Sequence, residues 1–256
     1  RLLPISEAEA HAAVGREVGG DAAPDLGRLV RAAVHLGNDV PFRVIDLGGT
    51  RMLVRPSELT LAQTTYRLAA RAVQGWGAVT VGAVTSQLQT ACEAEVSAAF
   101  VERLMTGIAT FRWLDREAGW FWLVPSSNPL LAGIRKILSV VPRLPLVRLR
   151  TALLRARQGV ALPLEALRQI CLAVPGTRIR DDVVMTAHAD TVPLSETEQR
   201  LVKILRAARP TGIPDSRLRV MIRAIGLPWT PILRLLRSSP LVERAPDGRF
   251  QLVGSL

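Results

Sequence analysis

Four residues near the C-terminus have the types and the spacing for work on a polyanion. Thr230, Arg234, Arg237 and Ser238 fall at i, i+4, i+7 and i+8, which puts two guanidiniums and two hydroxyls on one face of a helix. Arg244 and Arg249 bracket an Asp247-Gly248 turn a few residues later. A guanidinium is planar and always charged, and its paired N–H donors match a phosphate or the edge of a guanine. Further upstream, Arg148 and Arg155 are read as pointing away from the apolar stripe of their helix. Arg168 shares an exposed helical face with Gln169, beside a Glu165 that is unhelpful near phosphate. Arg178 and Arg180 alternate with Ile179 and so share one face of a strand.

Residues for covalent or acid–base chemistry are not arranged for it. His11, His35 and His188 are scattered, and a tight turn explains Asp181-Asp182 as well as a cation site would. Cys92 and Cys171 lie singly inside helical patterns, without metal-ligand spacing and with no disulfide expected, which fits a reducing cytosol. There is no Walker loop and no nucleophile elbow. No catalytic residue, no metal and no cofactor are expected, and the chain is expected not to be an enzyme, with any effector domain lying outside it. One stretch points elsewhere. Asp46-Leu47-Gly48-Gly49-Thr50 resembles the phosphate-binding hairpin of the sugar-kinase and actin-like ATPase superfamily, and implies, as a remote alternative, a nucleotide-binding enzyme. The resemblance covers five residues, no second Asp-x-Gly-x-Thr follows, and an ordinary hairpin needs the same glycines.

Charge narrows the partner. Lys and Arg number 33 against 22 Asp and Glu, a net charge of +11 in 256 residues. The only lysines are Lys136 and Lys203. A high-GC coding sequence would explain Arg over Lys, but not the excess over acids. The expected partner is double-stranded DNA first, then RNA or an acidic protein. No apolar run reaches membrane-spanning length, because Arg135, Lys136 and Arg143 interrupt the best candidate, so no membrane partner is expected. No signal peptide is visible, and the expected location is cytoplasmic, at the nucleoid. A chain that begins at Arg1 is read as a fragment or a processed product.

The elements that must position these residues are clearest from Ser127 to Thr186. A helix from Leu130 to Val141 buries Leu130, Ile134, Ile137, Leu138 and Val141, with Ser127 expected as its cap and Pro129 in its first turn. A second helix, about Leu146 to Arg157, buries Leu146, Leu149 and Leu153. A third opens at Pro163 and buries Leu164, Leu167, Ile170 and Val174, and a strand pair turning at Asp181-Asp182 closes the unit. Three helices and a β-hairpin make a winged helix. The plan recurs. The first-helix caps Ser57, Ser127 and Ser195 lie about 70 residues apart.

The expected fold is therefore mostly α with small β-hairpins, in tandem winged-helix domains at 57–125, 126–190 and 191–256. Residues 1–56 supply helices and a hairpin, a partial winged helix or a cap. Trp76, Trp113, Trp120 and Trp122 cluster in the 57–125 unit, either as a stacking platform for bases or, the favoured reading, as packing onto the helices beneath. Residues 57–256 resemble tandem winged-helix proteins of transcription and chromosome organisation. The segment Asn128 to Leu138 is similar to helix-turn-helix stretches of bacterial sigma-factor-like proteins, which implies DNA binding beside RNA polymerase or an appended effector. In these modules the third helix enters the major groove and the wing touches phosphates. The function expected is a double-stranded DNA-binding module, a transcription regulator or the DNA-targeting part of a larger protein. The alternative is a winged-helix scaffold that binds protein partners.

Overall fold

The computed structural model describes residues 3–18, 28, 33, 35–37, 40–93, 95–124, 128–157, 161–187 and 194–254. It is a mixed α/β chain of short helices and small antiparallel sheets of two or three strands. The chain divides into two compact units, 1–126 and 127–256. Apart from residue 126, the first unit takes in the segments expected at 1–56 and 57–125, and the second takes in those expected at 126–190 and 191–256.

In the first unit, β1 (Ile5–Ser6) leads into α1 (Glu7–Val18), and the hairpin β2 (Arg43–Leu47) and β3 (Thr50–Val54) follows. β1 pairs with β3, so the sheet order is β1-β3-β2. The expected capping box opens α1: the Glu9 backbone N–H donates to Ser6 Oγ at 3.2 Å, and the Ser6 N–H donates to the Glu9 carboxylate at 2.9 Å. The helix expected at 25–36 lies largely outside the described residues. Next come α2 (Leu59–Trp76), β4 (Val79–Thr80), α3 (Val81–Cys92), α4 (Ala98–Thr106), β5 (Phe111–Asp115) and β6 (Trp120–Leu123), in sheet order β4-β6-β5. Ser57 is not the cap of α2. It sits in a 3-10 turn, Pro56–Glu58, and α2 begins after it without a side-chain cap. Thr80 and Ser97 cap α3 and α4, accepting from Ala83 N–H at 3.0 Å and Phe100 N–H at 3.2 Å.

The second unit repeats that order twice. The first copy is α5 (Pro129–Val140), β7 (Arg143–Pro145), α6 (Leu146–Arg157), α7 (Leu164–Leu172), β8 (Thr177–Arg180) and β9 (Val183–Thr186), with sheet order β7-β9-β8. The second copy is α8 (Glu196–Ala207), α9 (Asp215–Ala224), α10 (Trp229–Ser238), β10 (Val242–Arg244) and β11 (Phe250–Leu252). Its first strand shrinks to one bridge, Ile213 to Phe250. In every copy the short strand pairs with the second strand of the hairpin. These short strands were not expected; the fold holds small sheets rather than isolated hairpins.

Each copy buries its own apolar stripe. Ile134, Ile137, Leu149, Leu167 and Ile170 are fully buried in one, and Leu218, Ile222, Ile232 and Leu252 in the other. Two details depart from expectation. Asn128 caps α5, with its Oδ1 accepting from Leu130 N–H at 2.8 Å and Leu131 N–H at 3.3 Å, while Ser127, the cap expected, lies outside the described residues. Leu164, expected in the core, is exposed, and Ala166 and Cys171 are buried instead.

Interactions between the two copies explain why 127–256 behaves as one unit. Lys136 on α5 pairs with Glu198 on α8. Arg206 on α8 donates to the Val140 carbonyl at 3.2 Å, and Arg155 on α6 donates to the Val242 carbonyl at 2.8 Å. Among the described residues no helix is long and apolar enough to cross a membrane.

Candidate nucleic-acid interface

The third helices of the three complete copies can be compared directly. On α4, Arg103 follows Glu102, and its guanidinium donates to the Leu3 carbonyl at 3.3 Å. On α7, Arg168 lies 3.4 Å from Glu165 and also holds Asp182, while the Gln169 amide donates to Glu165 at 2.9 Å. On α10, Arg234 and Arg237 are exposed, with no carboxylate within ion-pair distance among the described residues. Amphipathic periodicity sets this face: Ile232 and Leu236 turn inward to the core, and Thr230, Arg234, Arg237 and Ser238 turn outward. The Ser238 hydroxyl donates back to the Arg234 carbonyl at 2.9 Å, so it closes the helix end rather than standing free.

The two arginines of the last hairpin flank a turn whose Gly248 has φ +84°, a conformation favouring glycine. Arg244 Nε donates to the Gly248 carbonyl at 3.1 Å, and its guanidinium lies 5.7 Å from the Phe250 ring. Arg249 is 3.2 Å from Asp247 and donates to the Thr211 carbonyl at 3.2 Å. Both are exposed, and both guanidinium groups already make contacts within the protein, which restricts where their charge can be placed.

The other expected cations separate into two groups. Arg178 and Arg180 are exposed along β8, Arg180 3.5 Å from Asp181. Arg148 and Arg155 do not point away into solvent as expected. They turn toward Glu243 on β10, at 3.7 and 4.0 Å, and that carboxylate is buried and also receives the Gln251 amide at 2.9 Å. Burial lowers the Arg155 pKa from its ordinary value; the Glu243 carboxylate opposes that and the nearby Arg148 adds to it. The cause is tertiary contact. A helix face that looks free in sequence is covered by a strand 87 residues later.

Sequence reasoning missed two basic residues, Arg217 and Arg223 on α9. Both are exposed and lack an acidic partner among the described residues. Arg219 between them pairs with Asp215 at 3.4 Å and stacks 4.9 Å over Trp229. The available signal was their spacing on either side of Val220.

Where the fold divides the chain, the charge divides too. Residues 1–126 hold 12 basic and 13 acidic residues, and residues 127–256 hold 21 basic and 9 acidic ones, so the net charges are −1 and +12. The excess resides entirely in the second unit.

The remaining candidate sites resolve into local structure. At Gly48-Gly49 both residues have positive φ, +61° and +80°, as a two-residue hairpin turn requires, and Asp46 Oδ1 accepts the Gly49 N–H at 3.0 Å. A Cβ at Gly48 would lie 1.8 Å from the Tyr66 hydroxyl, so close packing accounts for the first glycine and turn geometry for both. Asp181 and Asp182 form a similar turn at φ +49° and +58°. Phe111, Trp113 and Phe121 meet edge-on or tilted at 4.9 to 6.3 Å, and Phe121 and Trp122 are buried; these rings pack together, while Trp76 is 47% exposed. Among the described residues, no group of three or more His, Cys, Asp or Glu is placed to hold a metal. Burial pushes the Cys171 thiol up to about 12, and Cys92 is only partly covered. Only thiolates react. Iodoacetamide at neutral pH is expected to label Cys92 and spare Cys171 until the chain is denatured; mass spectrometry of the labelled peptides checks this.

No protein-family model and no curated protein matches the chain.

Proposed function

We propose that the chain is a tandem winged-helix protein that binds double-stranded DNA, as a transcription regulator or the DNA-targeting part of a larger protein at the nucleoid. The observation that carries this reading is the outer face of α10: two exposed arginines free of carboxylate neighbours among the described residues, on the third helix of the last copy. The +12 charge of residues 127–256 supports it. Under this reading α10 enters the major groove, and Arg244 and Arg249 meet phosphates from the wing. Arg178 and Arg180 add to the attracting field. Arg148, Arg155 and Arg168 stay engaged inside the protein and shape the surface instead.

A second reading has an observation of its own. On α4 Arg103 is held by the Leu3 carbonyl beside Glu102, on α7 Arg168 is matched by Glu165 and Asp182, and α7 also exposes Leu164 and Leu172. Such faces suit proteins better than phosphates, so a scaffold role, including contact with RNA polymerase, fits those copies. A titration of the whole chain with a fluorescent duplex across a salt series separates the readings. A DNA-binding protein gives a steep linear fall of log affinity with log salt. A scaffold gives no binding to any duplex at low salt.

A further inference from the structure

We propose that the outer face of α9 and the cleft beside it form a docking site for an acidic amphipathic segment of a partner protein. The face is ordered by helical spacing. Val220 is 66% exposed at its centre. Ser216 and Ala224 lie one turn to either side of it, and Arg217 and Arg223 flank it three residues before and three after. The inward side of the same helix is occupied by Leu218 and Ile222, both fully buried, so Val220 has no core to join. Adjoining the face is a cleft of about 270 Å³ between α8 and α9, lined among others by Ile204, Ala207, Met221 and Arg217. That volume admits an apolar side chain, and Arg217 is part of its lining.

The occupant follows from charge and shape together. Arg217 and Arg223 have no acidic partner among the described residues, so carboxylates on the docked segment would meet them. Val220, Ala224 and the apolar part of the cleft offer nothing to a phosphate backbone, but they would cover an apolar side chain placed between those carboxylates. An acidic segment with apolar residues at helical spacing matches both features. This inference does not rest on the DNA reading, because it uses none of the α10 or hairpin arginines.

The test uses the full chain and two synthetic fluorescent peptides of equal negative charge. One carries Leu and Phe at i, i+3 and i+4 among Glu residues; in the other, Ser replaces each Leu and Phe. The amphipathic peptide should bind at least about tenfold more tightly, since burial of one or two anchors is worth that much. Val220→Asp should remove most of that preference and the Arg217→Ser/Arg223→Ser pair should weaken the amphipathic peptide, each with unchanged thermal unfolding and with duplex affinity unaltered by Val220→Asp. Equal binding of the two peptides would mean attraction to a basic protein and nothing more, and would overturn the proposal. So would no binding of either peptide. If Arg217→Ser/Arg223→Ser weakens duplex binding and leaves the peptides alone, the face is a phosphate contact and the proposal fails.

Discussion

Replacing Arg234 and Arg237 together by alanine is expected to lower the slope of log duplex affinity against log salt by about 2, because every phosphate deprived of its guanidinium keeps roughly one counterion condensed. The two guanidiniums are exposed on α10 and free of carboxylate neighbours among the described residues, so nothing within the described protein competes for them. If Arg234 reads a guanine, Arg234→Ala alone costs about 1–3 kcal/mol on the specific site and less on random duplex. Arg249→Ala is expected to do less than either, since Asp247 at 3.2 Å already offsets its charge. The helix should survive, because its core packing comes from Ile232 and Leu236 on the opposite face. Unchanged affinity and slope in a folded double variant would transfer the reading to the scaffold.

Glu198 carries the second large effect. Its side chain is 7% exposed and serves two structures at once. It completes the capping box of α8, accepting from the Ser195 N–H and hydroxyl at 3.0 Å each, and it pairs with Lys136 from the preceding copy. Burial alone would raise its pKa, but hydrogen bonds from Lys136 and Ser195, with the Lys136 charge, outweigh that and hold it below the usual carboxylate value. Glu198→Ala removes the cap interaction and leaves Lys136 without its partner, an expected loss of about 2–4 kcal/mol. Glu198→Gln keeps a capping-box side chain and removes the charge, so it isolates the pair.

The pH dependence has a definite sign. A carboxylate whose folded pKa is depressed contributes stability above its unfolded pKa and loses it as pH falls through the folded one. The gap between wild type and Glu198→Gln in denaturant unfolding should therefore be present at neutral pH and close in strong acid. A gap of equal size at both ends would show that the charge of Glu198 contributes nothing.

The features legible in the sequence were local ones. Ser6 with Glu9 and Ser195 with Glu198 are three residues apart, and both capping boxes formed as read. The glycine turns at 48–49 and 247–248 were legible because few residues tolerate positive φ. The outward face of α10 was legible because Ile232 and Leu236 leave only one side for Arg234 and Arg237. The short strands Val79–Thr80 and Arg143–Pro145 were not, since two or three residues carry no periodicity and their partners lie about 40 residues away. The cap at Asn128 was not singled out, because Ser and Asn are equally suitable cap types and stand side by side there.

The sequence by itself determined the number and order of helices in each complete copy, the turns between strands, the inward residues of most helices and the total charge of +11. The tertiary structure decided which charges remain available. Arg168 is held by Asp182, 14 residues on, Arg206 by Val140, 66 residues back, and Arg155 by Val242, 87 residues on. Helix periodicity is set by neighbours within four residues, so composition along one turn reveals it. The freedom of a guanidinium depends on whichever carbonyl or carboxylate the folded chain brings alongside, and no spacing within its own helix encodes that.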